Sequence, residues 1–202
     1  MQIIIHRVNT VAELKEIPAV YGVEVDVRGC GGRLMLSHDP IVDPALHVDL
    51  EVYLEDYRHA FIILNLKEAG YERRVLDLVE SKGIENCFLL DVEFPYFYRA
   101  TRMEGERRLA VRYSEAEPIE FALAQMKDGC GLVDWIWIDT NSRLPLEEEV
   151  VQTLAAFKTC LVCPERWGRP WDIESYKSMM RDLEFWPDAV MTSMECAKLW
   201  LA

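Results

Sequence analysis

Val23-Glu24-Val25-Asp26-Val27 sets apolar and acidic residues in strict alternation. A β-strand turns successive side chains to opposite faces, so the three valines share one face and the two carboxylates share the other, about 7 Å apart. Two readings follow. The run is an amphipathic edge strand with a solvated acidic face, or it is a strand of a parallel sheet whose carboxylates project at its C-terminal end. In a (β/α)8 barrel that end is the mouth, where active sites are built, and the valines pack under the helices. Two carboxylates on one rigid strand suit a hard divalent cation such as Mg²⁺ or Ca²⁺.

Working outward, short β-rich runs alternate with helical patterns along the whole chain. The expected strands are Ile3–Ile5, Val23–Val27, Phe61–Leu66, Cys87–Leu90, Leu109–Val111, Trp135–Ile138, Thr159–Cys163 and Ala189–Thr192. The clearest helix is Tyr71–Lys82, where Val75, Leu78 and Val79 recur at helical spacing and Gly83 marks the stop. Leu146–Phe157, Asp172–Leu183, Glu195–Leu201 and Asp49–Tyr57 read the same way, and Gly29–Leu36 reads as a hairpin turning at Gly31-Gly32. Strands each followed by a helix imply parallel βαβ units. Eight of them imply an α/β fold closed into a compact, single-domain TIM barrel over residues 1–202. An open doubly wound sheet shows the same alternation, but no Gly-x-Gly-x-x-Gly follows any strand to support nucleotide binding of that type.

Composition narrows the partners. Among 202 residues, 22 Lys+Arg stand against 35 Asp+Glu, a net charge of −13 that argues against nucleic acid as a ligand. Half the residues are hydrophobic, enough to build a core. The N-terminus lacks a basic segment and a cleavage site, and no apolar run approaches membrane-spanning length, so a cytoplasmic protein is expected. The six cysteines lie scattered, several of them in apolar runs, and read as reduced, buried thiols. Cys160-Leu-Val-Cys163 lies along a strand that turns its two sulfurs to opposite faces, against a redox or zinc role.

Polar residues recur where the strands end. The first run ends in His6-Arg7 and the hairpin in Ser37-His38-Asp39. The third run places Asn65 and Lys67 in alternation with apolar neighbours, as the second places Glu24 and Asp26. Later strands end in Asp91, Arg112, Asp139 and Glu165. One histidine at a strand end is commonly structural. Two of the four, His6 and His38, at consecutive strand ends beside a carboxylate pair point to proton transfer.

His6-Arg7, Glu24-x-Asp26, His38-Asp39 and Asn65-x-Lys67, in that order, resemble the glycerophosphodiester phosphodiesterase family, whose site design is similar to that of phosphatidylinositol-specific phospholipases C. The family pattern is His-Arg-Gly, Glu-x-Asp, His-Asp and Glu-x-Lys, and Asp188-Ala189-Val190-Met191-Thr192 resembles its last strand. The resemblance implies a hydrolase of phosphodiesters in small molecules, lipid headgroups or glycans. His6 and His38 would be the acid/base pair, and Glu24 and Asp26, with Asn65, the ligands of a Mg²⁺ or Ca²⁺ ion. Arg7 and Lys67 would neutralise the phosphate, and Arg112 is a further candidate for that role from its strand-end position alone. It leaves open hydrolysis by water or first attack by a substrate hydroxyl.

The sequence departs from this pattern in three places. Val8 stands where the family has glycine. Asn65 replaces a metal carboxylate and removes one unit of charge, so it either ligates through its amide oxygen or faces a substrate oxygen, with Asp91 or Glu165 as the carboxylate that would restore the charge. Only 21 residues, Pro40–Ala60, separate His38-Asp39 from the next strand, which implies an open mouth and a substrate larger than free glycerophosphodiesters. Arg112-Tyr113-Ser114-Glu115-Ala116-Glu117 is either a phosphate or sugar contact or a loop satisfied within itself. Trp135 and Trp137 share a face with Asp139, while Trp167 and Trp171 in a loop suit stacking on a headgroup or core filling. Two rival functions use the same residues. One is a non-catalytic barrel binding a phosphorylated ligand, and the other an aldolase-like barrel with Lys67 as nucleophile.

Overall fold

In the computed structural model, which describes residues 1–127 and 130–201, strands and helices alternate from end to end. The strands are β1 (Gln2–Ile5), β2 (Gly22–Cys30), β3 (Arg33–Leu36), β4 (Val48–Asp49), β5 (Ile62–Leu66), β6 (Cys87–Leu90), β7 (Ala110–Tyr113), β8 (Met126–Lys127), β9 (Cys130–Gly131), β10 (Trp135–Ile138), β11 (Lys158–Val162) and β12 (Ala189–Thr192). The helices are α1 (Val11–Glu16), α2 (Leu50–Asp56), α3 (Glu72–Ser81), α4 (Phe94–Arg99), α5 (Ile119–Leu123), α6 (Glu148–Leu154), α7 (Ile173–Asp182) and α8 (Ala197–Leu201). All eight expected strands are present, as β1, β2, β5, β6, β7, β10, β11 and β12. Two compact units divide the chain, residues 4–98 and residues 99–202 with Met1–Ile3.

In residues 4–98, β2 pairs in parallel with β1 and β5, and β5 with β6. A parallel pair requires a crossover, and α3 supplies the one between β5 and β6. The β2–β5 register sets Asp26 beside Asn65 and Val25 beside Leu64. Val23, Val25, Val27, Ile62 and Leu64 are buried. β2 runs three residues beyond Val27, turns at Gly31-Gly32 (φ 56° and 77°) and returns as antiparallel β3, which pairs in turn with β4. On α3 the buried stripe is Val75, Leu76 and Val79, and the expected Leu78 is half-buried. Gly83, with φ 69°, ends that helix as expected.

In the other unit, β7, β10, β11 and β12 pair in succession, all parallel, and Gln2 N donates to Asp188 O beside β12. A small antiparallel hairpin, β8–β9, precedes β10. Among the described residues, β6 pairs only with β5 and β7 only with β10. Cys160 and Cys163 are buried free thiols. Burial pushes the Cys163 thiol up to about 12, and its sulfur accepts from Trp200 Nε1 at 3.1 Å, which suits an inert thiol. Among the described residues no helix is long and apolar enough to cross a membrane.

Candidate active site

The acidic face of β2 is not solvated. Glu24 and Asp26 are each 1% exposed, and each is held by hydrogen bonds from several chain segments. Glu24 Oε1 accepts from Asn65 Nδ2 at 3.0 Å, and Oε2 accepts from the Arg7 backbone N–H at 2.8 Å. His6 Nε2 lies 3.7 Å from the same Oε2. Arg7 reaches this position in the left-handed region, at φ 60°, a conformation that costs a non-glycine residue about 1–2 kcal/mol. That turn follows β1 directly and aims one main-chain donor at one buried carboxylate. The family's glycine position, Val8, instead donates its backbone N–H to the Glu24 carbonyl at 2.9 Å.

Asp26 is bound on both oxygens. Lys67 Nζ lies 3.0 Å from Oδ1, while Asn9 Nδ2 donates to Oδ2 at 2.9 Å and Arg7 Nε lies 3.8 Å from it. Asn9 Oδ1 also accepts the Asp26 backbone N–H at 2.8 Å. With two cations beside Asp26 and neutral donors on Glu24, the two carboxyls are unequal. Burial, followed by the repulsion of Asp26, pushes the Glu24 carboxyl up to about 7. Asn65 Oδ1 is buried without a hydrogen-bond partner. Two buried carboxylates and an unsatisfied amide oxygen on neighbouring strands are a donor set that a hard cation fits. Among the described residues, no three or more His, Cys, Asp or Glu form a metal cluster, so the fit rests on the amide as the third donor.

His38 is positioned by the hairpin. Ser37 N donates to the Asp26 carbonyl at 2.9 Å, and Arg28 Nη2 donates to the His38 carbonyl at 3.0 Å. The imidazole Nδ1 lies 2.8 Å from Asp39 Oδ1, which holds the Asp39 carboxyl below its ordinary value. This leaves Nε2 pointing away from Asp39. With 42% of its side chain exposed, His38 lines an open cavity of about 430 Å³ that Asn9 also borders.

His6, Arg7, Glu24, Asp26, Asn65 and Lys67 thus share one network of contacts, and His38 is tied to the Asp26 backbone through Ser37. The later candidates are placed differently. Asp91 follows β6 in left-handed backbone (φ 59°) and is exposed. Arg112 pairs with Asp139 at 2.8 Å and, within its own loop, with Glu117 at 2.9 Å. Asp139 also accepts from Trp167 Nε1 at 3.1 Å and Trp137 Nε1 at 3.4 Å. Glu165 Oε1 accepts from Thr192 Oγ1 and Ser193 N at 2.8 and 2.7 Å. Asn9 and Arg28 were not expected from the sequence. Arg28 follows Glu24 and Asp26 at the next alternate position, a signal hidden by ending the strand at Val27. Asn9 carries no such signal, since its role arises only when the segment after β1 lies against β2.

No protein-family model matches the chain, and no curated protein sequence matches it. Solved structures do. A glycerophosphoryl diester phosphodiesterase from Agrobacterium tumefaciens superposes with a TM-score of 0.66 at 15% identity, covering 98% of this chain and 96% of that one. A glycerophosphodiester phosphodiesterase from the same organism gives 0.61 at 15% identity, over 95% and 96% of the two chains. The likeness spans nearly the whole of each chain, and with it the protein resembles the glycerophosphodiester phosphodiesterases and has their TIM-barrel fold.

Proposed function

We propose that this protein is a metal-dependent phosphoric diester hydrolase of the glycerophosphodiester phosphodiesterase type. The observation that carries the reading is the network joining His6, Glu24, Asp26, Asn65 and Lys67, with His38 tied to it through the hairpin. Glu24, Asp26 and Asn65 would hold the divalent cation. When bound, the cation withdraws electron density from the phosphoryl group.

The chain's own residues supply the rest. Lys67 and Arg7 stand beside Asp26, where they would offset charge on the non-bridging phosphate oxygens as it builds up. His6, mostly buried beside Glu24, takes the proton from the attacking hydroxyl. The Glu24 carboxylate then stabilises the imidazolium at 3.7 Å. His38, oriented by Asp39 through Nδ1, gives a proton from Nε2 to the departing alcohol oxygen. One P–O bond forms to the attacking oxygen and one breaks to the alcohol. One proton is taken and one given, so the histidines end with exchanged protonation states. The short segment after His38 leaves the cavity open, which supports a substrate larger than a free glycerophosphodiester.

Hydrolysis of bis(p-nitrophenyl) phosphate in the presence of Mg²⁺ or Ca²⁺ tests the reading. His6→Ala and His38→Ala are each expected to lower turnover by about 10²–10⁴-fold, the range of a lost acid or base. Near wild-type turnover in either folded variant overturns it.

A further inference from the structure

We propose that the cavity beside His38 seats an apolar substituent on one ester arm of the substrate, so that the preferred phosphodiesters carry an alkyl or aryl group there. The proposal rests on the phosphodiesterase reading above and extends it to the class of substrate.

The cavity holds about 430 Å³, and its accessible lining is predominantly apolar. At roughly 30 Å³ for a water-sized group, this is room for on the order of a dozen heavy atoms. It starts at the chemistry, because His38 lines it and so does Asn9, the residue that grips Asp26. From there Leu36, Val42, Leu46 and Val48 form its aliphatic wall, with the polar Asp39, Asp43 and His47 on the remaining lining. Leu36 is buried at the end of β3, but Val42 is 95% exposed and Leu46 79% exposed. Two aliphatic side chains so open to water, on a segment this short, leave apolar area that a ligand would cover.

The segment is also ordered in a way that keeps them there. Pro40 and Pro44 restrict the backbone on either side of Val42. Residues Pro44–Leu46 form a single 3₁₀ turn, capped by Asp43, whose carboxylate accepts from Ala45 N at 3.0 Å. The His47 N–H closes the turn on the Pro44 carbonyl at 3.2 Å. A rigid apolar wall contributes to binding without first being ordered by the ligand. Against the aliphatic wall a hydrocarbon arm gains from leaving water, which a hydroxyl-rich arm does not.

A series of p-nitrophenyl alkyl phosphodiesters, methyl to octyl, tests this on the intact protein. In the wild type, kcat/KM is expected to rise about two- to fourfold per methylene until the cavity is full, the increment of a partly to wholly buried CH₂. Leu46→Asp and Val42→Asp, checked for folding by circular dichroism and melting, are each expected to flatten that rise. A flat or falling dependence in the wild type, or an unaltered slope in both variants, overturns the proposal. Calorimetric binding of methyl and octyl phosphonates provides a second readout without turnover. If no diester is cleaved but octyl phosphonate binds more tightly and Leu46→Asp removes the difference, the cavity assignment stands and the hydrolase reading falls. Binding independent of chain length overturns the cavity assignment itself.

Discussion

Asn9 holds Asp26 at two points, its amide nitrogen on the carboxylate Oδ2 at 2.9 Å and its amide oxygen on the Asp26 backbone N–H at 2.8 Å. The pair fixes the rotamer of Asp26 and ties the segment after β1 to the middle of β2. Loss of such a supporting hydrogen bond commonly costs a metal or catalytic site about 10–100-fold. Asn9→Ala is therefore expected to lower diester turnover within that range. It also leaves a buried N–H without a partner, worth about 1–3 kcal/mol of stability. Kinetics and chemical denaturation on the same preparation read both effects.

Asn65 offers a sharper test of the cation. Asn65→Asp restores a third carboxylate beside Glu24 but removes the 3.0 Å hydrogen bond and adds repulsion. The variant is expected to melt below the wild type in chelator and to regain more on adding Mg²⁺ or Ca²⁺, because a ligand that binds only the folded state stabilises it. Glu24→Gln is expected to lose the cation-dependent shift. Thermal melts with and without the ions check both outcomes, and equal shifts in all three proteins would exclude this donor set.

Stability at low pH has a separate source. Glu106 accepts a two-pronged interaction from Arg108, with Nη2 at 2.7 Å, and this hydrogen bonding holds its carboxyl below the ordinary value against the opposing effect of burial. A depressed folded value means that the contribution is present above about pH 4.5, the unfolded range, and is lost as the pH falls through the folded value. Glu106→Gln is expected to lower the melting temperature at pH 7, with a difference from the wild type that closes as the pH falls below about 4.5 and through the folded value. Melting curves across that window measure it.

Glu184 ends α7 in a left-handed conformation, φ 51°. Its N–H meets the Arg181 carbonyl, and the Phe185 N–H meets that of Met180. This is a Schellman ending, a place for glycine. Glu184→Gly relieves about 1–2 kcal/mol of backbone strain and adds about 0.5–1 kcal/mol of unfolded-state entropy. A net gain of about 0.5–1 kcal/mol is expected in denaturant unfolding, with turnover unchanged.

Much of this organisation was legible in the residues, and the boundary of legibility has physical causes. Short β-rich runs located all eight parallel strands because a strand buried on both faces reads as a near-continuous apolar stretch. The five helices with an expected range fell inside it but were shorter, as α6 (Glu148–Leu154) is within Leu146–Phe157, since end residues are claimed by caps and turns. The short α1, α4 and α5 had no expected range. Glu24 and Asp26 were readable from parity alone. Their burial was not, because whether an acidic strand face meets water depends on what lies over it. Asn9 was invisible for the same reason, its two hydrogen bonds joining residues 17 apart. Arg112 and Asp139 were visible as strand-end charges, while their mutual pairing emerged only with the 2.8 Å contact between β7 and β10.

All side chains of the His6–Glu24–Asp26–Lys67 network, with Asn9, Asn65 and His38, come from a stretch of 62 residues, positions 6 to 67. Tolerance to mutation should then be unevenly distributed along the gene. In a saturation library scored for both abundance and turnover, variants that stay abundant yet inactive would crowd into that opening third. Elsewhere, activity would fall mainly in step with abundance.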